Sequence, residues 1–114
     1  VGLVIGTRPD CMPDTLLDYL EELNKRTFLI VEYGIESTDN VTLKRINRGH
    51  TYEVAAEAVR KTAARGIRVG AHIILGLSSG EGCVATLVSV HSFARAPLGI
   101  VLASQCPYRR IRYR

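Results

Sequence analysis

Two carboxylates and an imidazole stand at regular spacing in segments typical of buried strands. Glu32 and Glu36 lie in the stretch Phe28–Glu36, and His72 lies in the apolar stretch 67–76. Because strand side chains alternate between two faces, Glu32 and Glu36 share one face. A carboxylate on a central strand must be paired or must bind a ligand. The pattern therefore predicts either an internal polar network with the arginines or a site for a polar ligand, and periodicity alone favours neither.

Each of these two strands has one face suited to packing. Those faces carry Leu29, Val31, Tyr33 and Ile35 on one strand and Ile67, Val69, Ala71, Ile73 and Leu75 on the other. The opposite faces become polar and small toward their ends, where Gly34, Gly70 and Gly76 leave space beside the carboxylates. We therefore expect helices to cover the apolar faces and leave the polar faces open.

The elements that must position these groups follow the order β-α-β-α-α-β. They are a strand over 1–8, a helix from Asp14, a strand over 28–36, a short helix after Thr38 or Asp39, a helix from Thr51 to Gly66 and a strand over 67–76. Strands that alternate with amphipathic helices form a parallel sheet, and such α/β folds place their chemistry at the carboxyl ends of the strands. No Gly-x-Gly-x-x-Gly follows the first strand, which argues against a dinucleotide-binding domain.

Composition narrows the class of protein. The chain has 114 residues, of which 46% are hydrophobic and 23% charged, values of an ordinary globular protein and not of a disordered tail or a coiled coil. No apolar run approaches the ~20 residues of a membrane span, and we expect no signal peptide because the opening residues lack its charged, apolar and small-residue pattern. Cys11, Cys83 and Cys106 form no CxxC-type cluster, so no metal ligand set is predicted and we expect reduced thiols in the cytoplasm.

The last third of the chain differs in charge from the rest. Residues 1–81 have a formal charge of −1, whereas residues 82–114 have a charge of +5 and no acidic residue. A helix over 84–95 and a strand over 97–104 are predicted there. Nucleic-acid binding would rest on five scattered arginines, which support only weak attraction, so an unstructured or foreign tail is favoured.

Four short motifs occur in an order that resembles the middle of a radical S-adenosylmethionine (SAM) enzyme. They are Thr7-Arg8-Pro9-Asp10-Cys11, Glu32-Tyr33-Gly34-Ile35-Glu36-Ser37, Lys44-Arg45-Ile46-Asn47-Arg48-Gly49-His50 and His72-Ile73-Ile74-Leu75-Gly76-Leu77. The series resembles the branch shared by the elongator acetyltransferase and oxygen-independent coproporphyrinogen oxidase, and in particular the bacterial YhcC-type proteins. The resemblance covers residues 1–77 and implies a partial (β/α)6 barrel, of which these would be strands three to five.

The resemblance implies a role in SAM binding for several residues. Glu36 would accept hydrogen bonds from the ribose hydroxyls, with Ser37 beside it, since two acceptor oxygens suit a vicinal diol. Arg48, 12 residues after Glu36, would bind the methionyl carboxylate, which a guanidinium fork fits bidentately. His72 stands where relatives place a polar residue near the ribose or sulfonium.

Three further residues end the first strand and are expected to face the same cavity: Thr7, Arg8 and Asp10. Two positions depart from the family pattern. Gly6 stands where some relatives carry a SAM-binding Glu, and His72 replaces the first glycine of the family's Gly-x-Ile-x-Gly-x-x-x-x-Glu pattern.

The cluster-binding CxxxCxxC of the family and its first two strands are absent from this sequence. The usual Gly-Leu-Pro-Gly-Glu is one residue longer, in Gly76–Glu81, and no family pattern follows it. We therefore expect an internal fragment: a partial radical SAM core over 1–81, then an off-pattern, Arg-rich tail over 82–114 that is out of frame or divergent.

The resemblance implies that the parent protein cleaves SAM reductively at a [4Fe–4S] cluster to give a 5′-deoxyadenosyl radical. This chain would contribute part of the SAM site, lack the cluster ligands and be inactive alone. Its partners would be the missing barrel segments and a reductant protein, without a membrane. The alternative is a non-catalytic α/β module that binds a small anionic ligand or a protein partner through its strand ends.

Overall fold

The computed structural model describes residues 1–75, residue 77 and the backbone of residues 100–105. A short 3₁₀ helix, Pro9–Cys11, follows the first strand. The other elements are β1 (Gly2–Thr7), α1 (Asp14–Asn24), β2 (Phe28–Glu36), α2 (Asn40–Arg45), α3 (Tyr52–Ala64), β3 (Arg68–Leu75) and β4 (Ile100–Gln105).

The strands form one parallel sheet in the order β1-β2-β3-β4. This confirms the predicted α/β fold of parallel β/α units, the arrangement expected of part of a radical SAM barrel. The fourth strand, predicted over 97–104, is described over Ile100–Gln105, and residues 97–99 lie outside the described residues. The helix predicted over 84–95 lies outside the described residues.

Helices cover one face of the sheet, as the alternation of apolar residues predicts. Leu29, Val31, Tyr33 and Ile35 of β2 are fully buried, as are Val69, Ala71 and Ile73 of β3. All of these residues except Ile73 belong to one core cluster with Leu17 and Leu20 of α1 and Ala55 and Val59 of α3. The core is thus built from the in-facing halves of β2 and β3 and the apolar sides of two helices.

One polar pair lies inside this core. The hydroxyls of Tyr33 and Thr62 are 2.7 Å apart, and Thr62 donates to the carbonyl of Ala58 at 2.7 Å. Since the Thr62 proton goes to Ala58, Tyr33 donates to Thr62. Burial raises the pKa of Tyr33, so the phenol stays protonated. Its hydrogen bond to Thr62 connects β2 to α3.

The helix boundaries follow the predicted signals. The Asp39 carboxylate accepts from the amides of Val41 and Thr42 at the start of α2, and the Thr51 hydroxyl accepts from Val54 at the start of α3. Gly66 ends α3 with a φ of +72°, a conformation that favours glycine. Within the described part of the chain, no helix is long and apolar enough to cross a membrane.

The other face of the sheet carries the polar groups. Register places Gly6, Glu32 and Gly70 side by side in one row, and Gly34 and His72 in the next row toward the strand ends. At the opposite end the guanidinium of Arg68 lies 4.4 Å from the centre of the Phe28 ring. We call this side of the sheet the open face, because the buried side chains of β2 and β3 all lie on the other one.

Candidate functional site

The site begins at an irregular end of β2. Gly34 pairs with His72, but Glu36 pairs with Ile73, so the register shifts by one residue between them. Glu36 has a φ of +69°, and the amide of Ser37 donates to the carbonyl of Ile35 at 2.9 Å. A left-handed conformation costs a non-glycine residue about 1–3 kcal/mol, and such strain concentrates at functional sites. The tight turn thereby re-aims the Glu36 carboxylate as the strand ends.

Arg48 binds this carboxylate directly. Its Nη1 lies 3.0 Å from Oε1 of Glu36, and the two side chains are only 19% and 25% exposed. Its Nη2 donates to the carbonyl of Gly34 at 2.7 Å, and its Nε donates to Nε2 of His50 at 3.1 Å. Two nitrogens of the guanidinium therefore donate hydrogen bonds, and the third forms the ion pair with Glu36.

Gly34 makes room for this guanidinium. A Cβ at position 34 would lie 3.0 Å from Nη2 of Arg48, closer than almost any real Cβ contact. Because a Cβ at this position would point to the open face, Arg48 lies on the same side of the sheet as His72, the register partner of Gly34. The presence of glycine at this position of the Glu-Tyr-Gly-Ile-Glu-Ser motif thus has a steric explanation, since a side chain would crowd Arg48.

His50 belongs to the site although the sequence did not predict it. The ring is 6% exposed. Its Nδ1 lies 3.2 Å from the carbonyl of Thr51, and its Nε2 accepts from Arg48. Its place two residues after Arg48 was the available signal, but spacing does not show that the ring turns back toward the guanidinium.

His72 pairs with Glu32 and not with Glu36. Nε2 of His72 lies 2.8 Å from Oε2 of Glu32, and the imidazole is 45% exposed against 21% for the carboxylate. A Cβ on Gly70 would lie 3.0 Å from Cγ of Glu32, so this glycine gives the carboxylate its place. The pair is a polar network on the open face in which the imidazole is the outer group.

Thr7 at the end of β1, and Arg8 and Asp10 after it, make contacts other than those of Glu36 and Arg48. Thr7 is in register with the buried Tyr33, so it lies toward the helix-covered side, and this register departs from the expectation that it faces the cavity. Alternation along β1 puts Gly6 on the open face instead. Nε of Arg8 donates to Oδ1 of Asp10 at 2.9 Å, and this hydrogen bond lowers the pKa of the Asp10 carboxyl.

Ser37, a predicted site residue, lies in the turn that follows β2. Ser37 is 2% exposed and its hydroxyl accepts from the amide of Asp39 at 3.2 Å, which makes it part of the turn into α2.

A cavity of about 410 Å³ lies between α2 and the loop of residues 48–51, with Lys44 and Arg48 in its lining. Arg48 therefore contacts both the end of β2 and this cavity.

The described residues contain no group of three or more His, Cys, Asp or Glu side chains that could hold a metal ion. Cys11 is an exposed free thiol. The end of β2 offers a carboxylate that can accept hydrogen bonds and a guanidinium that can donate them, and the neighbouring strand offers an imidazole.

These features agree with the sequence comparisons, which show that the chain belongs to the radical SAM superfamily. The sequence model of that superfamily matches residues 2–84. The match includes the open-face residues and the Glu36–Arg48 pair.

Two relatives match closely over the same region. The chain is 51% identical over 77 residues to the uncharacterized protein YtqA of Bacillus subtilis, an alignment that covers 68% of this chain and 24% of that protein. It is 42% identical over 94 residues to protein YhcC of Escherichia coli K12, covering 79% of this chain and 30% of that protein. The aligned segment thus spans less than a third of these relatives.

Proposed function

We propose that this chain supplies part of the SAM-binding site of a longer radical SAM enzyme, with Glu36 and Arg48 as its principal polar contacts. The observation that supports this most strongly is the ion pair between them at the end of β2. Glu36 would accept from the ribose diol, and Arg48 would bind the methionyl carboxylate. When bound at a reduced [4Fe–4S] cluster, SAM supplies a 5′-deoxyadenosyl radical.

The paired state of these residues fits SAM better than a simple anion. An anion that approached Arg48 would meet the carboxylate of Glu36 3.0 Å away, and like charges repel at that range. SAM carries hydroxyl donors and a carboxylate on one molecule. It can therefore satisfy Glu36 and Arg48 together and leave neither charge without a partner. The non-catalytic alternative with a small anionic ligand is for this reason less well supported.

His72, Ser37, Thr7, Arg8 and Asp10 take smaller parts in the proposal. His72 presents its ring to the open face and would contact the ligand from β3. Ser37 would act through the turn that carries Glu36, since its hydroxyl is committed to Asp39. Arg8 and Asp10 would shape the rim of the site at the end of β1, and Thr7 would contribute only its backbone, since its side chain lies toward the helix-covered side.

The residues that the structure describes offer no ligand set for the cluster. Its ligands would come from another part of the longer protein. Further barrel segments would pair with β1, whose Val4 is 55% exposed on the sheet edge. A cytoplasmic location, a reductant protein as partner and membership of the elongator-like branch complete the proposal.

Equilibrium dialysis of SAM against the whole protein, without reductant, tests the proposal. Arg48→Ala should weaken binding by roughly 10- to 150-fold, because a hydrogen bond to a charged group contributes about 1.5–3 kcal/mol. Arg45→Ala is the matched control: Arg45 ends α2, is exposed and lies three positions away. An Arg48→Ala protein that binds SAM as tightly as the Arg45→Ala control would refute the assignment.

A further inference from the structure

We propose that His50 is a positioning residue for Arg48: as a neutral imidazole with its proton on Nδ1, it accepts a hydrogen bond from Arg48 and fixes the guanidinium for its ligand. The inference rests on the proposed function for the identity of that ligand. It goes beyond the proposed function by adding a residue that acts through another and does not touch the ligand itself.

The protonation pattern of His50 follows from its partners. The Thr51 carbonyl, 3.2 Å from Nδ1, can only accept, so Nδ1 carries a proton. Nε of Arg48, 3.1 Å from Nε2, can only donate, so Nε2 is unprotonated. The hydrogen bond made by one ring nitrogen thus sets the state of the other.

The same arrangement accounts for the carbonyl of Gly34. It lies 3.3 Å from Nε2 of His50 but accepts from Nη2 of Arg48 at 2.7 Å. A neutral His50 with its proton on Nδ1 therefore leaves every polar atom of the group with a partner. In agreement, the described residues include no buried side-chain nitrogen or oxygen without a hydrogen bond.

A second proton on His50 would break the arrangement. Nε2–H would then face Nε–H of Arg48, and two donors and two positive charges would meet at 3.1 Å. The guanidinium would have to turn, which would also disturb its contacts with Gly34 and Glu36.

Several charged groups near His50 act on the same protonation step. Arg48 opposes it from the ring's own loop, and Lys44 lines the same cavity on the α2 side. Asp10 lies close enough on the 3₁₀ helix for the two side chains to interact electrostatically. Arg8, which packs against Gly49, already binds the Asp10 carboxylate. The electrostatic attraction between Asp10 and the imidazole is therefore reduced.

The first test is the tautomer of His50 in the whole protein without SAM. Nitrogen-15 NMR of histidine-labelled protein at pH 8 should show His50 with its proton on Nδ1. A proton on Nε2 would overturn the proposal, whatever the protein does with SAM.

The second test measures SAM binding by equilibrium dialysis at pH 8. His50→Gln keeps a carbonyl acceptor, and His50→Leu removes the acceptor. His50→Leu should bind roughly five- to tenfold more weakly than wild type, as expected for one lost hydrogen bond, and His50→Gln should bind close to wild type.

Two results would contradict the proposal: wild-type affinity in His50→Leu, or a His50→Gln protein that binds as weakly as His50→Leu. Failure of wild type to bind SAM at any pH would instead count against the proposed function. The tautomer measurement would still decide the relation between His50 and Arg48.

Discussion

Gly34→Ala is the substitution that tests the geometry of the site most directly. Its Cβ would lie 3.0 Å from Nη2 of Arg48, so the guanidinium must retreat by a few tenths of an ångström. Retreat is restricted, because Arg48 is also tied to Glu36 and His50. The 2.7 Å hydrogen bond from Nη2 to the carbonyl of residue 34 should lengthen first.

The size of the effect follows from these contacts. A hydrogen bond from a charged donor contributes about 1.5–3 kcal/mol at most, and a partial loss of this bond would cost about 1 kcal/mol. We therefore expect Gly34→Ala to raise the dissociation constant for SAM about fivefold. The backbone of Gly34 does not have a positive φ, so alanine can adopt the same strand conformation and the fold should persist.

Gly6→Ala is the matched control for this measurement. Gly6 lies on the open face of the neighbouring strand, in register with Glu32, and a Cβ there would meet nothing within 4 Å. SAM binding by equilibrium dialysis and thermal unfolding by circular dichroism should both be unchanged in Gly6→Ala. The reasoning fails if Gly34→Ala binds SAM like wild type, or if Gly6→Ala loses as much affinity.

Two further predictions concern the open face and the helix start. Gly70→Ala should push Glu32 away from His72, because its Cβ would lie 3.0 Å from Cγ of Glu32; the hydrogen-bonded Nε2–H resonance of His72 should disappear in proton NMR, while Gly6→Ala retains it. Asp39→Ala should lower the free energy of unfolding by about 1 kcal/mol at pH 7, as for other lost helix caps. The hydrogen bond from Thr42 lowers the pKa of Asp39 below its ordinary 3.8, so this stabilisation is complete above that pH and is lost as the pH falls through the folded-state value. Denaturant titrations at pH 7 and pH 3 would show it, and an equal difference between wild type and Asp39→Ala at the two pH values would contradict the linkage.

Much of the fold could be predicted because its determinants are local. The alternation of Leu29, Val31, Tyr33 and Ile35 indicated which face of β2 is buried, and all four are fully buried. Asp39, Thr51 and Gly66 act within one helical turn of themselves, so their effects can be anticipated from sequence.

The site was harder to predict because it depends on departures from regular structure. Period-two counting assumes an unbroken strand, whereas the register shift before Glu36 changes where that carboxylate points. The hydrogen bond between His50 and Arg48 depends on how a loop turns back over β2, which spacing does not encode. The position of Thr7 was missed for a related reason: its place at a strand end suggested a role, but its register with Tyr33 decides its face.

The left-handed backbone of Glu36 affects which residue types are favoured at this position. At a φ of +69°, glycine or asparagine would relieve the strain of about 1–3 kcal/mol that glutamate bears. Selection for folding alone would therefore replace Glu36, and selection for ligand binding would keep it. A library of variants screened only for yield or thermal resistance should enrich Gly and Asn at this position and, in the same step, discard the carboxylate that Arg48 binds.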